Sequence, residues 1–273
     1  ENLEDATRET GEMKPEDMKT EQTDKQIARQ EQEQKDIADK LKELAKDIEE
    51  LAKEALKNPE MDPTDLAKMA EIAKKMKEAA AKEMAAAKAA LKLAMENKQD
   101  RKENLDDAEK KEKEAKEKLQ ELQENAEETA QAMYANTLVK RLRKIAKFEE
   151  GVAKDFKENT GKLIGQFLES LPDELRKMVN DAYGYQGVYS RKAARLQEEI
   201  AAFYDATNNE KFGKVTSDMA NYKPAEKMED AAKHILKNHM TATIESTTEI
   251  AKKFNEWADI IDPQEDSEPG EGE

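Results

Sequence analysis

The stretch IADKLKELAKDIEELAKEA, residues 37–55, carries apolar side chains at Ile37, Leu41, Leu44, Ile48, Leu51 and Ala55. The steps between them are 4, 3, 4, 3 and 4 residues, the spacing that lays a narrow apolar stripe along one face of an α-helix and meets a partner helix. Charged residues fill the intervening positions except for Ala38, Ala45 and Ala52. This reads as one long helix from about Glu21 to Lys57. Carried backwards, the register passes through Gln34 and Gln30 to the neighbourhood of Ile27. Polar residues in a seam weaken packing but can fix register; the expectation here is that the helix outruns its partner.

Asn58 to Pro63 ends this helix and starts another. Asp62 suits an N-cap, Pro63 suits the first turn, and Asp65 places negative charge at the positive end of the helix dipole. So short a link predicts antiparallel neighbours. The second helix carries Leu66, Met69, Ala73, Met76, Ala80, Met84, Ala87, Leu91 and Ala94, and its methionines read as adaptable core filling. From Lys98 the seam continues as Arg101, Leu105, Ala108, Ala115, Leu119, Leu122 and Ala126, with Lys98 and Glu112 as polar members. One helix over about 63–147, or a turn near 97–104, fits the pattern. The turn is favoured, because it lays 105–126 against 66–94.

Composition divides the chain. All 13 aromatic residues lie at or after Tyr134, so the first half can build only thin helix-on-helix seams. The predicted organisation is a polar, disordered segment at 1–20, Ala/Glu/Lys-rich coiled-coil helices at 21–133, an aromatic-containing helical bundle at 134–261, and a disordered acidic tail at 262–273. Within the bundle, helices are expected over Tyr134 to about Asn159, in a short segment holding Leu163, Ile164, Phe167 and Leu168, from about Asp173 past Phe203, and in one long run from Pro224 to Ile261. Asn208-Asn209 and Gly213 are expected to break the pattern. No stretch alternates as a β-strand does. The fold class is all-α: long antiparallel coiled-coil hairpins followed by a bundle.

The chemistry-bearing residues are few. There is no cysteine, which excludes a disulfide framework, a thiolate metal site and a cysteine nucleophile. A net charge of −16 opposes nucleic-acid binding, and no apolar run is long enough to cross a membrane. His234 and His239 are five residues apart, about 140° around a continuous helix, so one helix face could not bring both to a metal. Phosphate loops, nucleophile elbows and calcium loops are absent from the sequence. The expectation is a protein without catalytic residues, cofactor or metal, whose partners are itself or other helical proteins. The alternative is a surface-active, protective or lipid-binding helical protein. Candidate partner-contact residues are Tyr183, Tyr185 and Tyr189, spaced around Gly184 and Gly187, and Arg141 and Arg143 in the basic run Lys140–Lys144. The two glycines predict a close helix crossing or a kink. A first residue of Glu rather than Met points to a processed or trimmed chain.

Gln26-Ile27-Ala28-Arg29-Gln30-Glu31-Gln32-Glu33-Gln34, Leu41-Lys42-Glu43-Leu44-Ala45-Lys46, Met76-Lys77-Glu78-Ala79-Ala80 and Leu142-Arg143-Lys144-Ile145-Ala146 follow one another in an order that resembles the helical extracytoplasmic regions of large planctomycete and verrucomicrobial membrane proteins, which accompany operons encoding MoxR-type ATPases. The resemblance covers about residues 20–160. It implies a cell-envelope (periplasmic or extracellular) location and a scaffolding or partner-binding role, and it brings no catalytic residues. This chain departs from the pattern in having no membrane-spanning segment.

Overall fold

The heptad-spaced stripes become long helices in the computed structural model, which describes residues 2–14, 17, 20–55 and 63–263. The helices are α1 (Asn2–Gly11), α2 (Glu21–Ala55), α3 (Pro63–Glu96), α4 (Arg101–Glu158), α5 (Thr160–Leu163), α6 (Asp173–Thr207), α7 (Glu210–Tyr222), α8 (Pro224–Leu236) and α9 (Met240–Ile261). A 3₁₀ turn at Leu168–Ser170 precedes α6. No strand occurs among the described residues. The protein is all-α. By their mutual contacts the residues fall into two units, Glu1–Met133 and Tyr134–Glu273, with the division inside α4.

In the first unit α2, α3 and the first part of α4 run antiparallel in turn. Ile27 near the start of α2 packs with Ala90, Leu91 and Ala94 at the end of α3 and with Leu105 and Ala108 at the start of α4. Ala45 and Ile48 meet Ile72 to Ala79 and Leu119 to Ala126 at the other end. The inward face of α4 is buried or half-buried at Arg101, Leu105, Ala108, Glu112, Ala115, Leu119, Leu122 and Ala126, alternating steps of 4 and 3. Met76 and Met84 are buried and Met69 and Met95 pack beside the cores, filling space between Ala-rich surfaces. The turn between α3 and α4 falls at Asn97–Asp100, without Gly or Pro. Asn97 Oδ1 accepts from the Gln99 amide at 3.2 Å, and its Nδ2 donates to Asp100 at 2.6 Å. The cap Asp62 and the whole link 56–62 lie outside the described residues, as do the side chains of Ala55 and Asp65 and the tail from 264 onward.

Three expectations are corrected here. Residues 2–11 are helical rather than disordered. Gln30 and Gln34 are buried, so α2 does not outrun its partners at that end. The stripe residues Ile37, Leu44 and Leu51 face outward, 37, 48 and 66 % exposed, while Ala45 at the neighbouring register position sits in the core. Helices α3 and α4 cover one flank of the α2 stripe only.

In the second unit two cores form around aromatic residues. One gathers Leu138, Leu142, Ile145, Leu196, Ile200, Phe212, Phe254 and Trp257, and the other gathers Val152, Phe156, Leu163, Val179 and Ile235. Trp257 is fully buried, and its Nε1 donates to Asp218 Oδ2 at 2.7 Å. That bond, with the Lys253 ammonium 3.3 Å away, holds the Asp218 carboxyl below the usual range. Helix α6 ends at Asn208, left-handed at φ 52°. Gly213 lies inside α7 rather than breaking it. A Cβ there would stand 2.6 Å from the Tyr204 ring, so glycine is what lets α7 approach α6. The run Pro224–Ile261 is two helices, not one. Asn238 takes φ 52° between them, and its Nδ2 donates to the Leu163 and Gln166 carbonyls at 2.7 and 3.0 Å. Of the short apolar segment, Leu163 is buried but Ile164 is exposed and Phe167 is 81 % exposed.

Candidate functional site

Glu112 sits on the inward face of α4, where the seam would otherwise take an apolar residue. Its Oε1 accepts from Gln34 Nε2 on α2 at 2.7 Å and from Thr7 Oγ1 on α1 at 3.2 Å. One turn along, Gln30 Nε2 donates to Thr10 Oγ1 at 3.2 Å, and Lys116 pairs with Glu4 at 3.1 Å. As α1 advances from Glu4 through Thr7 to Gly11, its partners on α4 recede from Lys116 through Glu112 to Leu105. Helix α1 therefore lies in the groove between α2 and α4, antiparallel to both. It acts as a fourth bundle helix for about three turns. Among its described positions the buried ones are Thr7, Thr10 and Gly11, which carry no apolar period. Burial pushes the Glu112 carboxyl up to about 7, against the pull of its two hydrogen bonds and with Glu4 and Glu109 adding to the rise. Glu112 Oε2 and Gln34 Oε1 have no partner among the described residues.

Beside Glu4 lies a cavity of about 220 Å³ lined by Gln34 and Ile37 on α2, Met84 on α3, and Ala115, Leu119 and Gln123 on α4. Further along α2 the outward Leu44 and Leu51 continue the line of Ile37 at seven-residue spacing. Around Leu51 the surface is concave and lined by Asp47, Glu50, Lys53 and Glu54. Each stripe residue is preceded by an exposed carboxylate: Asp36, Glu43 and Glu50. The result is an apolar, acid-bordered stripe along α2.

The sequence-derived partner residues do not form one surface. Tyr183 and Tyr185 are exposed on α6, Tyr185 at 58 %. Tyr189 instead stacks on Phe148 with parallel rings 3.9 Å apart, and Lys192 lies 4.6 Å from the Tyr189 ring centre. The glycines between them serve no close crossing: nothing lies within 4 Å of a Cβ at Gly184, and only the tip of Arg191 lies near one at Gly187. Helix α6 runs unbroken through both. Arg141 pairs with Glu199 on α6 at 2.5 Å, and Arg143 binds Asp259 at 3.0 Å and the Asp262 carbonyl at 3.2 Å. Both arginines fasten the second unit's own helices, Arg143 at the end of α9 and at Asp262, the first residue of the acidic tail.

A second buried carboxyl, Glu149, lies in the interior of the second unit, fully out of solvent. Gln186 Nε2 donates to its Oε1 at 2.7 Å, and burial pushes it up to about 8. The histidine geometry also differs from expectation. Because the helix breaks at Lys237–His239, the two imidazoles come within 6.0 Å of each other instead of pointing apart. Among the described residues no group of three or more His, Asp or Glu side chains is placed to hold a metal ion, and no helix is long and apolar enough to cross a membrane. Sequence reasoning missed the groove because a heptad pattern marks the apolar positions without saying which flank is covered. It missed α1 for want of any apolar signal.

The fold and this groove define an all-α protein of two helical units. Comparison with protein-family models, with curated proteins and with solved structures yields no match.

Proposed function

We propose that this chain is a non-catalytic interaction protein that assembles through helices, with itself or with helical partners, and that α2 carries the assembly face. The observation behind this reading is the outward stripe Ile37, Leu44 and Leu51, kept at heptad spacing on a helix whose other flank is already packed. Three exposed aliphatic side chains on one line have a cost in water that a covering helix removes, at about 25 cal/mol per Å² of apolar surface buried. The buried polar layer at Glu112 supports the same reading, since it holds α1 in register in the groove. A scaffolding role in the cell envelope is the contribution of the family resemblance alone.

The test is sedimentation velocity of the full chain over about a hundred-fold concentration range, alone and with amphipathic helical peptides. Complexes of either kind that vanish in Leu44→Gln support the proposal. A compact monomer that takes up none of the peptides overturns it.

A further inference from the structure

We infer that His234 and His239 together bind one divalent ion of the zinc, nickel and copper group, and that the ion clamps the turn between α8 and α9. The site lies wholly in the second unit and is independent of the assembly reading.

The way α8 ends brings the two histidines together. The His239 amide donates to the His234 carbonyl at 2.9 Å and the Asn238 amide to the Ile235 carbonyl at 3.0 Å, with Asn238 in the left-handed region between them. In a helix end closed by this pair of bonds, the side chains at the two ends of the longer bond meet, and they are commonly apolar. Here both are histidine. Residues that a continuous helix would point apart therefore have ring centres 6.0 Å apart.

That separation suits chelation. Two imidazoles with one nitrogen each about 2.1 Å from a shared ion have ring centres about 5–6 Å apart. No ring nitrogen of either histidine is engaged in a hydrogen bond among the described residues. His239 is exposed and His234 half-buried, so an ion reaches both from solvent. Imidazole selects the later transition ions, whereas calcium and magnesium take oxygen ligands. No third side chain is in place among the described residues, so water completes the coordination. Of the neighbouring cations, Lys233 is already paired with Asp230 at 2.7 Å, and Lys237 is exposed to screening water.

The backbone on both sides is fixed before any ion arrives. Ile235 and Met240, one beside each histidine, are buried in the same core as Phe156, Leu163 and Val179. Asn238 Nδ2 ties the turn to the Leu163 and Gln166 carbonyls. Engaging the second ring thus costs little further ordering, and the pair acts as one chelate.

The experiment uses the full chain with no added histidines. Zinc binding is read by calorimetry in excess magnesium, which occupies oxygen sites on the acidic surface. Electron paramagnetic resonance of bound copper counts the ligating nitrogens. The variants are His234→Ala, His239→Ala and the two combined, with circular dichroism to confirm the fold; His239→Ala, at an exposed position, decides the matter alone if His234→Ala does not fold. The expected result is one zinc per chain, weakened by about ten-fold or more in either single variant and little further in the double one. The copper spectrum should show two nitrogens in the parent and one in each single variant. Zinc should raise the melting temperature of the parent and not of the variants.

A smaller loss in the single variants gives the ion to surface carboxylates and overturns the inference. So does one nitrogen in the parent's copper spectrum, a melting temperature that zinc leaves unmoved, or no zinc binding at all. A zinc-dependent doubling of mass in sedimentation also overturns it, by placing the ion between two chains.

Discussion

Gln186 Nε2 meets Glu149 Oε1 at 2.7 Å inside the second unit, and the remaining oxygens of the pair, Glu149 Oε2 and Gln186 Oε1, have no other partner among the described residues. Both of those atoms are acceptors while the carboxyl is ionised. A proton on Oε2 turns it into a donor and matches acid to amide. Burial favours that neutral form, as the rise to about 8 records. Gln34 and Glu112 repeat the arrangement in the first unit, with the same two kinds of oxygen left over.

From this pair comes a pH dependence whose sign is fixed. Glu149 titrates near its ordinary 4.5 when unfolded and near 8 when folded, so between those values the folded chain holds the extra proton. Its contribution to stability is complete below pH 4.5 and is lost as pH rises through 8, a loss on the order of a few kcal/mol. Glu149→Gln keeps a neutral side chain able to donate to Gln186. Urea unfolding at pH 5, 7 and 9 is expected to show the variant gaining on the parent as pH rises. A constant difference between the two chains across that range would refute the assignment.

Glu112 predicts a detachable α1. Ionisation leaves an uncompensated charge facing Glu4 on α1 and Glu109 on its own helix, with Lys116 already paired to Glu4. Gln34 on α2 is neutral, and α3 takes part in the ion pairs Glu83–Lys118 and Lys88–Glu31. Docking of α1 should weaken as pH rises from about 5 to above 7, the window between the ordinary and the raised value. The chain has no cysteine, so a spin label on Glu9→Cys, at an exposed position, reports α1 mobility directly. Sharper lines are expected at pH 8.5 than at pH 5.5, and Glu112→Gln should remove the change. Identical spectra at both pH values would contradict the polar-layer account.

These two groups also show what a sequence can disclose. Glu112 and Gln34 stood out as polar members of a seam from spacing alone, because a heptad register assigns a face to each residue. What filled the space beside them could not be read. Helix α1 presents Thr7, Thr10 and Gly11 inward, and such residues carry no hydrophobic period. The seam from Ile37 to Ala55 is legible as a seam, but which of its members, Ile37, Leu44 and Leu51, are left exposed depends on where α3 and α4 stop covering α2. The bundle helices after Tyr134 followed their apolar period, except where one asparagine overrode it. Residues 224–261 read as one helix because nothing in the local pattern forces Asn238 into the left-handed region; its bonds to Leu163 and Gln166, distant in sequence, do that.

Asn238 should therefore resist replacement by alanine more than by glycine. Alanine loses both side-chain bonds to the α5 region and must adopt φ 52°, whereas glycine loses the bonds but tolerates the backbone. Asn238→Ala is expected to lower stability by about 2–3 kcal/mol and Asn238→Gly by about 1–2 kcal/mol. Thermal melts of the two variants decide the order. Equal losses would mean that the backbone conformation contributes nothing.

Gly213 offers a test of packing free of any charge. The ring of Tyr204 at the end of α6 lies where a Cβ on α7 would project, with Cε2 at 2.6 Å and Cζ at 3.0 Å. Alanine would ordinarily strengthen a helix interior by about 1 kcal/mol relative to glycine. Here the methyl group must displace the ring or push α7 outward, and overpacking of this kind costs about 1–3 kcal/mol. Phe203 and Phe212, packed with ring centres 4.5 Å apart in the same corner, leave α7 little room to yield. Gly213→Ala is expected to destabilise the chain, and Tyr204→Ala in the same chain should reverse the sign, since the helix preference of alanine then acts unopposed. A double-mutant cycle in urea measures the coupling. A stabilising Gly213→Ala in the parent would show that the ring swings aside freely and that glycine is not what permits the α6–α7 approach.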